Sequence, residues 1–241
     1  MADQGDRDQR AAVVEAGKVL AANGHSDLVW GHLSLRDADG RGFWLKRPGL
    51  GFEELRTSDI QLLGFDGEVV LGEGAPHLER FIHSEVLRAR PDVQCVIHTH
   101  PEAATAFAAT GLPLLPVGHE ATMFVPPDIA RFTETGDLIR TPGLGRSVAA
   151  ALGERNALLL VNHGVVVAGP SIGDAVFAAV LLEKACRMQL TAAAAAGAEP
   201  LRVSGEAEAR TKRARVYAPG QVRAGWNFLQ REQRGPFPNI G

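Results

Sequence analysis

Cysteine is rare in this chain of 241 residues. Its two copies, Cys95 and Cys186, lie far apart within apolar segments, which indicates buried thiols in a reducing compartment and excludes a disulfide-stapled scaffold. No apolar run reaches the roughly 18–20 residues that a bilayer-spanning helix needs. An excess of one charge sign is also absent, because the formal net charge is −3, so we expect neither a nucleic acid nor a membrane as a partner.

Linkers and targeting signals are missing as well. No segment rich in proline, glycine and serine divides the chain, so we predict a single domain over residues 1–241, with a core at about 10–195 and a helical and extended tail at 202–241. The first ten residues are polar and carry both charge signs, unlike a secretory signal peptide. The cytoplasm is therefore the expected location.

The hydrophobic periodicity alternates between helical and extended patterns. Two hairpins are predicted, with turns at residues 37–40 and 66–67, and they favour a mixed or antiparallel sheet over a fully parallel one. Residues 112–143 contain five prolines and are predicted to be irregular. The predicted helices cover residues 8–23, 76–90, 102–109, 144–153 and a long segment that begins after Ser171; the predicted strands cover 28–36, 42–46, 60–63, 68–71, 93–100, 157–161 and 165–168.

Three histidines are the most informative residues. His98 and His100 form an H-x-H pattern at the end of an apolar, β-branched segment, and His163 lies in an Asn-His-Gly turn. Side chains alternate along a strand, so both imidazoles of H-x-H point to the same side. A catalytic zinc site needs three protein ligands and one open position. The metal interpretation is therefore favoured over ordinary strand-end histidines that bond to backbone.

A carboxylate is also placed on the predicted helix at residues 76–90. Glu79 and His83 are four residues apart and lie at the edge of its apolar stripe. Such a carboxylate can serve as a ligand or as a general base near a bound metal. From the helix alone, the favoured interpretation is a solvated Glu79 that pairs with His83 or Arg80.

Taken together, several motifs resemble the class II aldolase/adducin-head family in order and spacing. They are Glu79-x-x-x-His83, Arg90-Pro91-Asp92-Val93, His98-Thr99-His100 and Asn162-His163-Gly164-Val165. This family includes fuculose-phosphate aldolase, ribulose-phosphate 4-epimerase and aromatic-acid decarboxylases. The resemblance implies an α/β fold, a three-layer α/β/α sandwich around a mostly antiparallel central sheet. It also implies a homotetramer with active sites between neighbouring subunits.

The resemblance also assigns roles to these residues. His98, His100 and His163 would bind a divalent metal, with Zn²⁺ expected first and Mn²⁺ or Fe²⁺ as alternatives. Glu79 would be the catalytic acid/base or a further ligand. This assignment reverses the preference for a solvated Glu79.

The chain departs from the sugar-phosphate members of the family where those members hold phosphate. In place of their G-N-x-S strand, Ser-Gly turn and Ser-Ser pair, it has Gly31-His32-Leu33-Ser34, Pro48-Gly49 and His77-Leu78. Phosphate is held by backbone N–H groups, hydroxyls and cations, and the side chain of Leu78 offers none of these. An unphosphorylated substrate is therefore expected.

Substrate contacts are predicted for His32, Ser34, His77 and Glu120. His32 and His77 can bind a carboxylate or phenolate, with exposed polar residues as the alternative interpretation. Glu120 follows His119 at the place where the aldolases carry a tyrosine proton donor. Glu120 is thus a candidate replacement donor, and a surface acid in a loop is an equally favoured interpretation.

A three-histidine metal with an open position can stabilise the negative charge of an enolate or phenolate. We therefore predict a metal-dependent carbon–carbon lyase for a small, unphosphorylated, oxygen-rich substrate. Aldolase-type cleavage is placed first, and decarboxylation of a hydroxy-aromatic acid is a close alternative. A non-haem iron oxygenase is a further alternative. A non-catalytic adducin-like module is disfavoured, because it would have no chemical need for the complete set of three histidines and Glu79.

Overall fold

The computed structural model describes residues 3–235. Its helices are α1 (Gln4–Leu20), α2 (Arg80–Ala89), α3 (Glu102–Thr110), α4 (Pro142–Leu152), α5 (Ile172–Ala196), α6 (Glu206–Val216) and α7 (Pro219–Gln233). Its strands are β1 (His32–Arg36), β2 (Phe43–Lys46), β3 (Ile60–Leu63), β4 (Val69–Leu71), β5 (Cys95–Thr99), β6 (Ala130–Phe132), β7 (Ala157–Leu160) and β8 (Gly164–Gly169). Short helical turns cover Ala21–His25, Phe52–Glu54, Thr57–Asp59 and Glu120–Met123.

The strands of residues 3–235 form one sheet in the order β4-β3-β2-β1-β5-β8-β7-β6. Every neighbouring pair is antiparallel except β6 and β7, which are parallel. The predicted mostly antiparallel sheet is therefore confirmed. The prediction that residues 112–143 are irregular was wrong for β6, a three-residue strand among prolines that is too short to show a period of two.

The sheet separates two hydrophobic cores, which gives the predicted α/β/α layers. Helices α1, α3 and α5 pack on one face of the sheet, and α2 and α4 pack on the other. Alternation along β8 shows the division directly, because Val165 and Val167 belong to the first core and Val166 and Ala168 to the second. The three-layer architecture is confirmed.

The segment predicted as a helical and extended tail contains two helices, α6 and α7. Helix α7 packs against α1 and α5, and α6 packs against the turn at Glu120–Met123. The extended end predicted for this tail falls on residues 236–241, outside the described part of the chain. None of the described helices combines the length and the apolar character needed to cross a bilayer.

Two predicted elements begin later than expected. The strand predicted from residue 28 begins only at His32, because Leu28 has a φ of 50° and residues 28–30 form a turn. The helix predicted from residue 76 begins at Arg80, and Glu79 precedes it with φ −92° and ψ 23°. Both differences place a segment of irregular backbone beside the end of β5, where the histidines lie.

Candidate metal centre

The three motif histidines meet at one edge of the sheet. His98 lies within β5, and His100 follows directly after that strand ends at Thr99. Strand β8 pairs antiparallel with β5, so the start of β8 lies beside the end of β5. His163 occupies the turn just before β8. Strand pairing thus brings together residues that are more than sixty positions apart in sequence.

The residues on either side of His163 are suited to this turn. A Cβ at Gly164 would lie 2.5 Å from His100 Cδ2 and 2.5 Å from the Thr99 carbonyl oxygen, so only glycine permits the approach. Asn162 has a φ of 60°, in the left-handed region that asparagine tolerates better than most residues. The Asn-His-Gly sequence therefore presents the His163 ring beside His100.

Donor atoms of four residues lie at distances typical of ligands around one cation. The Nε2 atoms of His98 and His100 are 3.1 Å apart. Glu79 Oε2 lies 3.5 Å from His98 Nε2, and Glu79 Oε1 lies 3.5 Å from His163 Nε2. In a tetrahedral site with ligand bonds of 2.0–2.1 Å, neighbouring ligand atoms are about 3.4 Å apart. The separations match that spacing.

The hydrogen bonds of the outer ring nitrogens determine which nitrogens carry protons. His98 Nδ1 lies 3.0 Å from the Val165 carbonyl oxygen, and His100 Nδ1 lies 2.9 Å from Asp27 Oδ2. Both partners only accept, so each Nδ1 must donate its N–H, and in the neutral rings each Nε2 carries a lone pair. Such outer contacts are the usual supports of metal-binding histidines.

The inward-facing nitrogens are left without hydrogen-bonding partners that would satisfy them. Two lone pairs that face each other at 3.1 Å repel, and a shared cation removes that repulsion. His163 Nε2 is buried and makes no hydrogen bond within the described residues. The donor set of three imidazoles and one carboxylate therefore fits a divalent metal.

Burial holds two of these histidines in the neutral form that a metal ligand needs. Burial, helped by the neighbouring His98, lowers the pKa of His163 to about 4. Burial and His98 also lower the pKa of His100, although Asp27 opposes the change. A neutral imidazole binds metal without first losing a proton, so both rings are ready to do so at neutral pH.

Glu79 is an ionised carboxylate in a buried position. It is only 3% exposed, and its Oε1 accepts a hydrogen bond of 2.9 Å from the Ile139 backbone N–H. Burial acts to raise the pKa of Glu79, but the interactions of its carboxylate with the rings of His32 and His98 outweigh burial and hold the pKa well below its usual range. The solvated Glu79 that pairs with His83 or Arg80, favoured from the helix alone, is therefore wrong.

A pocket of about 540 Å³ opens beside these groups. Its inner end is polar and its entrance is apolar, with Trp30 55% exposed and Leu78 56% exposed. The polar lining residues are Asp27, His77, Glu79, His100, Asn162 and His163; the remaining ones are Val29, Trp30, Pro48, Gly49, Leu78 and Leu138. The arrangement suits a ligand with an oxygen-bearing end and an apolar body.

The four predicted substrate contacts are in three different places. His77 lines the pocket, and its Nδ1 accepts from the Glu79 backbone N–H at 3.3 Å, so the proton of the neutral ring is on Nε2. Burial, then the charge of Lys46, lowers the pKa of His77 to about 3. His32 and Ser34 are fully buried behind the pocket and do not line it. A substrate in the pocket would therefore not contact them directly.

Glu120 lies elsewhere. It lines a shallow depression beside Lys184, Arg187 and Met188, which shares no residue with the pocket at the histidines. A single chain therefore does not bring Glu120 to the candidate metal centre. The role of Glu120 as proton donor, in place of the tyrosine of the aldolases, stays a prediction.

Two residues of the site were missed from the sequence. Asp27 supports His100, but it lies in a loop with no spacing to the histidines that could reveal this contact. Trp30 was assigned to a strand, whereas the turn at residues 28–30 places it at the pocket entrance.

Comparison with known proteins identifies the family. Residues 11–190 match the family model described as "Class II Aldolase and Adducin N-terminal domain". The 3,4-dihydroxyphthalate decarboxylase of a Terrabacter species is 33% identical over 207 residues, which cover 79% of this chain and 84% of that protein. The 4-hydroxy-3-prenylphenylpyruvate oxygenase/4-hydroxy-3-prenylbenzoate synthase of Streptomyces roseochromogenus is 34% identical over 190 residues, which cover 78% of this chain and 66% of that protein.

A solved structure supports the same family assignment. The L-fuculose 1-phosphate aldolase from Glaciozyma antarctica superposes with a TM-score of 0.82 at 29% identity and covers 95% of this chain and 89% of that chain. The family is generally dependent on a divalent metal, in agreement with the donor set at Glu79 and the three histidines. The chain belongs to the class II aldolase/adducin family.

Proposed function

We propose that this chain is a metal-dependent carbon–carbon lyase that removes the carboxylate from a small hydroxy-aromatic acid. The observation that carries this proposal is the pocket, which joins a set of metal ligands at its inner end to an apolar entrance. When bound there, a divalent metal would supply positive charge that stabilises the negative charge developing on a substrate oxygen. His98, His100 and His163 would hold the metal.

Glu79 is the group proposed to move the proton. In decarboxylation the bond between the ring carbon and the carboxylate breaks, and its electron pair stays with the ring carbon. CO₂ leaves, and a proton that Glu79 takes from water and delivers to the ring carbon completes the product. The hydroxide left from that water combines with CO₂ to give bicarbonate. Glu79 is suited to this task because its carboxylate is buried and directed at the ligand histidines.

His77 is the proposed partner of an anionic substrate group. Its ring is neutral and carries its proton on Nε2, so it can donate a hydrogen bond to a carboxylate or phenolate without bringing a second charge into the site. This role agrees with the position of His77 in the pocket lining.

The apolar entrance favours an aromatic substrate over a sugar. Trp30, Pro48 and Leu78 offer aliphatic and aromatic surface, on which an aromatic ring packs well. The hydroxyls of a sugar would lose water there without gaining hydrogen bonds. Two relatives have names that include a hydroxylated aromatic compound. Decarboxylation therefore moves ahead of aldol cleavage, which the sequence alone had placed first.

Aldol cleavage is the second candidate. The observation in its favour is the complete set of Glu79 and three histidines, together with the structural match to an aldolase.

Zn²⁺ is proposed as the metal, with Mn²⁺ and Fe²⁺ as alternatives. A homotetramer is proposed from the family resemblance, and a cytoplasmic location is proposed from the composition.

The test is a substrate screen of purified protein loaded with zinc, manganese or iron. We expect CO₂ release from ortho-hydroxy aromatic acids and no CO₂ release by His98→Ala or Glu79→Gln. Cleavage of hydroxy-aldehydes to smaller aldehydes without CO₂ release would select the aldolase. Efficient turnover of dihydroxyacetone phosphate would contradict the argument from Leu78, and consumption of O₂ would point to the iron oxygenase.

A further inference from the structure

A chain of polar contacts extends from Glu79 into the protein core. Its first link, between Glu79 and His32, is longer than a hydrogen bond, and the next two links are hydrogen bonds. His32 Nε2 lies 3.7 Å from Glu79 Oε2. On the other side of the same ring, His32 Nδ1 lies 2.6 Å from His83 Nε2. His83 Nδ1 in turn lies 2.7 Å from Ser34 Oγ. His32, His83 and Ser34 are all fully buried, so substrate in the pocket does not reach them.

The fold holds these three side chains rigidly. His32 and Ser34 are two residues apart on β1 and therefore face the same side of the sheet. His83 lies in the first turn of α2 and packs onto that face, with the Phe43 ring stacked near it at 22° between the planes. Rings enclosed in this way keep one orientation.

The chemistry of the groups determines the direction of the hydrogen bonds. The Glu79 carboxylate faces His32 Nε2 at 3.7 Å, and a carboxylate only accepts, so the favourable form of the His32 ring carries its proton on Nε2. In a neutral ring, His32 Nδ1 is then an acceptor, and His83 must donate from its own Nε2. That leaves His83 Nδ1 as an acceptor, which the Ser34 hydroxyl supplies with a proton. The serine at the far end thus determines what His32 offers to Glu79.

We propose that Ser34 and His83 are positioning residues for Glu79 that act through His32. Together they fix His32 as an N–H donor directed at the Glu79 carboxylate and so hold that carboxylate toward the ligand histidines. The part of Glu79 in catalysis rests on the function proposed above. In this arrangement His32 and Ser34 support Glu79 from behind, whereas the sequence predicted that they contact the substrate.

The reverse direction is the competing arrangement. The Val96 backbone carbonyl also faces the His83 ring and would be the acceptor in that arrangement. If His83 Nδ1 donated there, His32 would turn a lone pair toward Glu79, and two acceptors would face each other in a buried site. His32, Glu79 and His98 offer ligand atoms within 4.8 Å of one another, so His32 would then be a candidate cation ligand.

Nitrogen NMR distinguishes the two directions without any substrate. In the full-length, zinc-loaded protein labelled with ¹⁵N-histidine, we expect His32 and His83 both to carry their proton on Nε2. Ser34→Ala removes the terminal donor, so the His83 ring should change to a mixed or reversed state. Protons on Nδ1 of both rings in the unmodified protein would overturn the proposal, as would an unchanged His83 in Ser34→Ala.

Kinetics then test the positioning role, and the chain offers a matched control. Ser84 is a fully buried serine next to His83, and its Oγ makes no hydrogen bond within the described residues. We expect Ser34→Ala to lower kcat by at least about 10-fold with KM and metal content unchanged, as for other outer-shell supports. Ser84→Ala should leave kcat unchanged. A raised KM with unchanged kcat would return Ser34 to substrate binding and overturn the proposal.

A second variant keeps the proposal testable if Ser34→Ala misfolds or if the proposed function proves wrong. His83→Phe keeps a ring in the space beside Phe43 and removes the nitrogens. The ¹³C shift of the Glu79 carboxyl, assigned with Glu79→Gln, should change in this variant while the thermal transition stays cooperative. If the protein has no lyase activity at all, the proposed function fails. The ¹⁵N and ¹³C spectra would still decide whether His32, His83 and Ser34 orient Glu79. An unchanged Glu79 signal would refute it.

Discussion

Replacement of Asp27 is the sharpest test of how the metal centre is built. Asp27 Oδ2 accepts the Nδ1 proton of His100 at 2.9 Å and so leaves His100 Nε2 free to bind metal. Asp27→Ala removes that acceptor, and the ring can then rotate or place its proton on Nε2. Outer supports of this type contribute about 10–100-fold to metal affinity.

The size of the effect follows from exposure. The side chain of Asp27 is 30% exposed and that of His100 is 15% exposed, so water can replace part of the lost hydrogen bond. We therefore expect the lower end of the range, a loss of about 10-fold in zinc affinity, or about 1.4 kcal/mol. Asp27→Asn should lose less, because its amide oxygen still accepts.

The assay is zinc competition against a chromogenic chelator, with circular dichroism to confirm that each variant is folded. Asp39→Asn is a suitable control, because that carboxylate is 68% exposed in the turn between β1 and β2. The control should bind zinc like the unmodified protein. Zinc affinity within twofold of the unmodified protein in Asp27→Ala would refute the assignment of protons in the His100 ring.

Three further outcomes are expected. His98→Ala and His163→Ala should lose bound metal and lyase activity while the chain stays folded, as elemental analysis and circular dichroism would show. Glu79→Gln should keep most of the metal and lose about 10²–10⁴-fold in kcat, since the acid/base is gone. Gly164→Ala should destabilise the fold by about 1–3 kcal/mol in urea titrations, because its Cβ has no room.

Each of these has a result that would contradict it. Activity that survives either histidine change would remove the metal from the proposed mechanism. An unimpaired rate in Glu79→Gln would assign the proton transfer to another group. For Gly164→Ala the matched control is Gly205→Ala, where an added Cβ meets nothing within 4 Å. Equal stability of the two variants would show that the turn at His163 adapts more easily than its packing indicates.

Local signals in the sequence predicted the core of the candidate site. H-x-H at the end of an apolar strand and a histidine in an Asn-His-Gly turn are short-range patterns, and few residue types bind divalent metals. They predicted His98, His100 and His163 as a group, and the structure brings these three together with Glu79. The two hairpins and the family resemblance together predicted the mostly antiparallel sheet, which is confirmed.

Local signals failed where a residue's partner is distant in sequence. Helical periodicity placed Glu79 on a helix surface, but contacts with Ile139 and the motif histidines turn it inward before α2 begins. The same periodicity could not show that His83 bonds to His32 and Ser34, about fifty residues away.

The sequence by itself therefore determined which candidate metal ligands are present and in what order along the chain the strands and helices that carry them follow one another. Only the tertiary structure decided which side chains face each other: Asp27 behind His100, Ser34 behind His83, and Trp30 at the pocket entrance. The physical reason is that residue type and local period depend on neighbours within a few positions. Burial and hydrogen-bond partners, in contrast, depend on how β1, β5, β8 and α2 pack together.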